Sequence, residues 1–353
     1  MKALRYYSRG VVRAEEVPIP EIDEDEVLVK TEACGICSSD ILDWYREPKA
    51  PSFFGHEAVG KVTRVGRKVS GFTVGERVFV HHHVPCMVCR YCKKGDYSMC
   101  DAFRKSSIDP GGFAEYIRVP GENVRKGLIR IPEVLSTIEA TFIEPLACCI
   151  QAVQRASLRI GERVAIFGAG FNGLLLAILS REFGAASVVV VEPNTHRREI
   201  AWSLGVVDRV FDASEEALRL LKREWGLADV VFVTPPLPSV INNAVEVADK
   251  GGTILIYAPS PPGSKLSVDI FHLYFSHLTV KTSYSASPLD TRLALSLLLR
   301  RRGVFQQIPV VQYPFLEFEK AFRDFREDSR IIKAVLCFGE EESLLHGEAA
   351  AWH

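Results

Sequence analysis

Asn and Gln are scarce in this chain, five of each among 353 residues. Arg is abundant, including the run Arg300, Arg301 and Arg302, and the combination resembles a heat-adapted protein's avoidance of thermolabile amides. Net charge is nearly absent too, since 43 basic against 44 acidic side chains leave −1. That balance carries no electrostatic footprint for nucleic acid or an anionic membrane surface. No apolar run approaches the ~20 residues that span a bilayer. The opening MKALRYYSRG lacks the apolar core of a secretory signal, so the cytoplasm is the expected location. Internal repeats and low-complexity stretches are missing as well. What is left is an ordinary globular composition, 47% apolar, in a chain long enough for two domains without disulfide staples.

The nine cysteines are the first positive feature, because they cluster. Cys86, Cys89, Cys92 and Cys100 form C-x2-C-x2-C-x7-C. Cys34 and Cys37 lie upstream, Cys148 and Cys149 are neighbours, and Cys337 stands alone. In a reducing compartment such clusters read as metal ligands before disulfides. Four thiolates within fifteen residues can close a tetrahedral zinc site with no open position, which makes it structural. Arg90, Lys93 and Lys94 partly offset the thiolate charge. Buried free thiols and an iron–sulfur cluster are the alternatives.

Up to about residue 150, short β-type segments such as 26–31, 58–65 and 77–80 are separated by turn glycines. The character changes near residue 160. Apolar strands at 163–167, 187–191, 209–211, 229–233 and 252–257 alternate with helices at 172–183, 196–204, 217–225 and 240–248. Strands apolar throughout imply a parallel sheet covered on both faces. After a strand at 280–283, a helix at 288–302 and a last strand at 334–338 are expected to return to the first unit. Residues 340–353 are expected to fray.

Gly168, Gly170 and Gly173 form G-x-G-x-x-G between a strand ending at Phe167 and the next helix, with Phe171 and Asn172 inside the motif. Glu192 follows nineteen residues after Gly173, at the end of the second strand. This is the full context of a dinucleotide site. Gly168 allows the tight turn, Gly170 lets the backbone approach a pyrophosphate, and Gly173 permits close helix–strand packing. The pyrophosphate is expected on the helix N-terminus. A carboxylate at Glu192 accepts from both ribose hydroxyls and repels a 2′-phosphate, favouring NAD. Arg197 and Arg198 are near enough to bind a phosphate, so NADP stays open. The segments 234–236 and 257–260, with Thr234 and Ala258, are expected to line the nicotinamide pocket.

The segments CGICSSD, from Cys34, and GHEAVGKVTRVGRKV, from Gly55, supply a thiolate, an imidazole and nearby carboxylates. Such a set suits zinc with an open coordination position. Here the chain resembles a known family. Gly55, His56, Glu57, Gly60, Gly66 and Val69 fit the zinc alcohol dehydrogenase signature G-H-E-x2-G-x5-G-x2-V. CGICSSD resembles that family's CGIC-x-[ST]-D, and the four-cysteine spacing is similar to its structural-zinc lobe. Over nearly its whole length, the chain resembles the zinc-dependent medium-chain dehydrogenase/reductase family, alcohol and polyol (sorbitol/iditol) type.

The resemblance implies a fold and a set of roles. The fold is α/β: a GroES-like β-rich catalytic domain over 1–155 and 286–353, with the zinc lobe at about 84–102, and a Rossmann doubly wound parallel sheet over 156–285. Cys37 and His56 would ligate a catalytic zinc, with Glu57 a third or intermittent ligand. Cys34 would be the non-ligand cysteine, Ser39 the hydroxyl that relays the substrate proton, and Asp40 a group orienting a ligand. FIEPLA at 142–147 resembles the polyol dehydrogenases' EPL motif, which brings Glu144 to the zinc or its water. Cys148 aligns with the cysteine that serves simple alcohol dehydrogenases, so that choice stays open, as does an ordinary helix-start role for Glu144. One departure is Leu42, where many relatives carry a relay histidine.

The expected protein is therefore an enzyme with two zinc ions, one catalytic and one structural, and NAD or NADP. It would oxidise a secondary alcohol of the polyol, sugar or cyclitol class to a ketone. A threonine or simple aliphatic alcohol dehydrogenase is the alternative. An inactive zinc- and dinucleotide-binding protein and a zinc-free reductase are more remote. A homo-oligomer is expected, a tetramer before a dimer, with no nucleic-acid or membrane partner. His81, His82 and His83 read as structural or surface residues, because strand alternation would send His82 away from the other two. His272 and His277 read as packing or surface residues, and Trp44, Phe54 and Phe103, which follow or flank the zinc motifs, as substrate-pocket or core aromatics.

Overall fold

In the first unit, the apolar segment Val27–Ile36 is buried at almost every position, and that dictates a strand paired on both sides. It runs antiparallel to Glu57–Val65 on one edge and to Lys333–Cys337 on the other. The sheet order is Val310–Pro314, Lys333–Cys337, Val27–Ile36, Glu57–Val65, Arg77–Val80 and Leu128–Arg130, with Tyr116–Val119 also pairing Val27–Ile36. A three-stranded sheet of Val11–Glu16, Lys2–Ser8 and Ser52–Phe53 accompanies it. Val29, Ile36, Val62, Val78, Ile117 and Leu336 form part of the shared core. The last strand thus returns to the β-rich unit as expected, whereas 296–308, including the end of the helix Pro288–Arg300, joins the other unit. The computed structural model describes residues 1–339, and the stretch expected to fray lies outside the described residues.

The second unit contains six parallel strands in the order Arg209–Phe211, Ser187–Val191, Arg163–Phe167, Ala228–Val233, Ala248–Ile256 and Thr279–Thr282. This is the 3-2-1-4-5-6 order of a doubly wound dinucleotide fold. Its inner strands, SVVVV and ADVVFV, are buried nearly throughout, as their continuous apolar runs require. Phe167 is level with Val191 and with Val233, so the carboxyl ends of the three inner strands meet at one rim. Order reverses there, which is where such sheets bind their ligands.

The division between units falls earlier than the sequence suggests. Among the described residues, the first unit comprises 1–144, 287–295 and those from 309 onwards, and the second 145–286 and 296–308. The reason is long-range bonding. Arg155, in the helix Ile143–Ala156, donates through Nε to the Thr282 carbonyl at 2.7 Å. Glu182 takes Arg300 at 3.2 Å and Arg301 at 2.8 Å, binding 296–308 to the dinucleotide unit. Among the described residues, no helix is long and apolar enough to cross a membrane.

Candidate active site

Cys37 follows directly on the strand Val27–Ile36, and Glu57 opens its antiparallel neighbour, with Glu57 opposite Gly35. Strand pairing therefore brings Cys37, His56 and Glu57 together, and one ligand atom from each falls within 4.8 Å of the others. Asp40 fastens the turn by accepting the Cys37 N–H at 3.0 Å. Its other oxygen lies 3.7 Å from His56 Nδ1, which leaves Nε2 as the nitrogen available to a metal. Asp40 thus orients one ligand and fixes the backbone of another. Burial pushes the His56 pKa down, but Asp40, Cys37 and Glu144 outweigh burial and hold it well above the usual histidine value. So much negative charge around one ring calls for a cation.

Glu57 is fully buried, and one of its oxygens is paired with Lys333, itself 1% exposed. Lys333 Nζ also donates to the Ile36 carbonyl at 3.0 Å. The second carboxylate oxygen of Glu57 has no hydrogen-bond partner. A buried acceptor left unmade is costly, and a metal among Cys37, His56 and Glu57 would satisfy it. Gly35 makes room for this pair, because a Cβ there would overlap Glu57 Oε2. Sequence reading missed Lys333, whose only signal was a lone ammonium at the head of the apolar strand KAVLC.

Glu144 is buried in the first turn of Ile143–Ala156 and acts electrostatically on His56, but lies outside the three-residue donor set, as does Cys148. Ser39 is half-buried two residues after Cys37, and Leu42 ends the short turn that follows. The alternation expected of the histidine tract does not occur, because the strand stops at Val80. The His82 and His83 rings instead meet at a tilt of 48°, with centres 4.2 Å apart. His81 is fully buried, while His82 and His83 are partly exposed. Burial pushes the His82 and His83 rings below the ordinary histidine value, His83 to about 4.

The four cysteines form the second donor set, again with all sulfurs within 4.8 Å of one another. Cys86–Cys92 and Cys89–Cys92 separations of 3.9 and 3.6 Å match the ~3.8 Å edge of a tetrahedron with ~2.3 Å zinc–sulfur bonds. Met87 adopts a left-handed φ of 69°, and the N–H groups of Val88 and Cys89 donate to Cys86 Sγ at 3.5 and 3.3 Å. Those two N–H groups hold the Cys86 thiol below its usual range. Burial raises Cys100, yet the N–H groups of Cys86 and Phe103 prevail and bring it to about 6. Cys86 and Cys100 are thus held towards thiolates, whereas burial and then the Cys89 sulfur push Cys92 up to about 12; Phe103 packs against the set.

At the dinucleotide motif the three glycines differ in kind. Gly168 has φ +97, and a Cβ there would overlap Thr234 Oγ1. Gly173 would strike the Gly168 carbonyl. Gly170 meets nothing nearer than Arg197 Nη1 at 3.7 Å, so the open space lies where a pyrophosphate approaches. The helix Phe171–Glu182 begins there with Gly170 as its cap and no side chain on its free N–H groups. Glu192 accepts from Ala169 N–H at 2.7 Å and Asn194 N–H at 2.9 Å, which leaves lone pairs for a ribose. Arg198 is consumed by the Glu192 and Pro193 carbonyls, Thr195 and Asp212. Arg197 instead brings Nη1 to 3.7 Å from where a Cβ on Gly170 would stand. Thr234 donates to the Phe167 carbonyl at 2.9 Å, so it buttresses the loop, while Ala258 is half-buried after the strand Ala248–Ile256.

Comparison with known proteins agrees with this geometry. Residues 23–133 match the alcohol dehydrogenase GroES-like domain, and 173–300 match the zinc-binding dehydrogenase domain. An L-threonine 3-dehydrogenase from Bacillus licheniformis is 32% identical over 326 residues, 89% of this chain and 92% of that one. A sorbitol dehydrogenase from Bacillus subtilis is 33% identical over 268 residues, 72% of this chain and 74% of that one. A zinc-binding dehydrogenase from Sinorhizobium meliloti, solved bound to NADP, superposes with a TM-score of 0.83 at 28% identity, covering 95% of this chain and 98% of that one. Two cysteine- and histidine-lined donor sets, a glycine loop at a sheet's switch point and these relatives converge: the chain belongs to the zinc-dependent medium-chain dehydrogenase/reductase family and is an NAD(P)-dependent oxidoreductase.

Proposed function

We propose that the enzyme oxidises a secondary alcohol of the polyol, sugar or cyclitol class to its ketone, or runs that reaction backwards. The observation that carries this reading is the donor set Cys37, His56 and Glu57 with Glu144 charged nearby, one thiolate among carboxylates. The relative named sorbitol dehydrogenase supports it. The relative named L-threonine 3-dehydrogenase, matched over more of the chain, favours a hydroxy-amino acid as the second reading. Turnover of a panel of polyols, cyclitols, 2-alkanols and L-threonine with NAD and NADP tests it. Activity confined to primary alcohols would overturn it.

A bound zinc would supply Lewis acidity that eases loss of the alcohol proton, and the nicotinamide C4 would take the carbinol hydrogen as hydride. Cys37 and His56 would hold the metal, Glu57 would offer its unpartnered oxygen, and Glu144 would lend further negative charge. Asp40 keeps His56 in register. Ser39 accepts the hydroxyl proton and passes its own towards solvent. Leu42 supplies no further acceptor at the position where many relatives carry a relay histidine. Replacement of Ser39 by Ala is therefore expected to slow alcohol oxidation more at low pH than at high pH.

Glu192 favours NAD in this reading. Glu192→Ala is expected to lower the NAD-over-NADP preference, taken as a ratio of kcat/KM values, by about tenfold or more, the scale of a charged hydrogen bond. An unchanged ratio would assign the choice to Arg197. All nine cysteines are free thiols, which suits the reducing cytoplasm. Self-association completes the reading. The helix Ile270–Phe275 exposes Ile270, Phe271, Tyr274 and Phe275 close in sequence to Thr279–Thr282, the edge strand of the parallel sheet. A second copy of the chain can cover both about a two-fold axis. Light scattering that returns the mass of one chain would remove it.

A further inference from the structure

Arg46 closes the short helix Asp43–Arg46, and its N–H donates to the Leu42 carbonyl at 3.0 Å, just beyond the turn that follows Cys37. It is only 8% exposed, which is rare for a guanidinium without a counter-ion. Its central carbon lies 4.5 Å from the Phe54 ring centre and 5.7 Å from that of Tyr6, so two aromatic rings pack on it. Its edge is another matter. Nε and Nη2, which together form the side-on fork of the guanidinium, are buried without a hydrogen-bond partner. Asp43, the acid at the start of the same helix, is taken up by Tyr6 at 3.3 Å, Arg326 at 3.2 Å and Arg9 at 3.4 Å. Glu47 is exposed, and helical neighbours one position apart do not face each other. Ser52 supplies an independent sign. It stands opposite Tyr6 in an antiparallel pair, so the two side chains share a face. Tyr6 is one of the rings that packs on Arg46, and Ser52 Oγ is likewise buried without a partner. Two separate segments thus bring unsatisfied polar atoms to the same tyrosine.

We propose that Arg46 and Ser52 form a binding site for a small oxyanion, a carboxylate, phosphate or sulfate group, held side-on by Nε and Nη2 with the Ser52 hydroxyl as a further donor. A buried cation without a counter-ion is costly, and an oxyanion on that edge removes the cost. Two parallel charged hydrogen bonds fix a pair of oxygens in one plane, which an ammonium cannot do. The aromatic rings fix the guanidinium in turn, so the fork is set before the anion arrives. Neither residue belongs to the metal donor sets, and the site does not rest on the secondary-alcohol reading above. The oxyanion comes either free from solution or as a charged group on the alcohol, and the two share the same chemistry at Arg46.

The test is thermal melting of the zinc-loaded enzyme in sodium sulfate against sodium chloride at equal ionic strength. Saturating NADH keeps sulfate off the dinucleotide loop. The parent should gain roughly 3–6 °C in Tm at sulfate about a hundredfold above Kd, with a gain that saturates. Arg46→Met keeps the packing stem and removes the fork. It should be at least as stable as the parent in chloride, fall below it in sulfate, and show no saturable gain. Arg46→Lys and Ser52→Ala should each weaken sulfate by about tenfold, and they replace the methionine variant if that one fails to fold. An equal, unsaturating rise in parent and Arg46→Met is the general exclusion of sulfate from protein surfaces and would overturn the site. Kinetics on sorbitol and sorbitol 6-phosphate tell the two sources apart. Sulfate that raises KM for the phosphate ester alone puts the substrate's charged group on Arg46. Sulfate that raises Tm and leaves both KM values unchanged assigns the site to a free anion. An enzyme idle on both alcohols would count against the polyol reading and leave the melting result standing.

Discussion

Replacing Cys37 with Ser should leave a folded chain that holds one zinc instead of two and has lost turnover by about a thousandfold or more. The size follows from the several kcal/mol of charge stabilisation that a Lewis-acid metal provides, at ~1.4 kcal/mol per tenfold in rate. The fold should survive because Cys37 lies at the end of its strand, and Asp40 holds the backbone N–H rather than the sulfur. The remaining zinc would sit in the four-cysteine lobe, whose donor atoms are a separate set. Metal analysis with a circular dichroism spectrum separates this outcome from unfolding. Normal turnover by the variant would refute the catalytic assignment of Cys37.

The second large effect is on stability. Lys333→Met should destabilise the metal-free protein by about 3–5 kcal/mol, the cost of stranding one partner of a buried ion pair. Glu57 has no other cation recorded on its carboxylate, and its second oxygen is already unpaired. The double variant Lys333→Met with Glu57→Leu should recover most of the loss, since a buried pair replaced by apolar groups is often neutral. Denaturant midpoints of the four proteins complete the cycle. Zinc should narrow the gap, because a cation on the free oxygen of Glu57 takes over part of the ammonium's role. A single variant as stable as the parent would overturn the claim that the buried pair with Lys333 holds Glu57 in place.

The sequence made the dinucleotide unit legible because its strands are uninterrupted apolar runs and its glycines fall at fixed offsets from them. The metal ligands were legible for another reason: Cys37, His56 and the four lobe cysteines come in short motifs whose spacing is itself the chemistry. What escaped was whatever depends on distant partners. Lys333 meets Glu57 across 276 positions, and nothing near either residue announces the other. Arg197 and Arg198 looked equivalent until the backbone turned Arg198 onto four acceptors. The histidine tract was misread because alternation presumes a strand, and that strand ends one residue too soon. The assignment of 296–308 to the dinucleotide unit goes with ion pairs made by Glu182, which no composition shift marks.

The pairing of Lys333 with Glu57 also has a consequence in time. Glu57 leaves the ribosome 276 residues before its counter-ion does. At ~5–20 residues per second, synthesis separates the two by roughly 14–55 s. During that interval the strand pair that carries Cys37, His56 and Glu57 can form, but its buried carboxylate has no ammonium, and the strand beside Cys34 and Ile36 is missing. A nascent chain therefore cannot finish its catalytic pocket early. The pocket becomes whole only when the last strand is made, so a ribosome that stalls before Lys333 releases a protein with a finished cysteine lobe and an unfinished reaction centre.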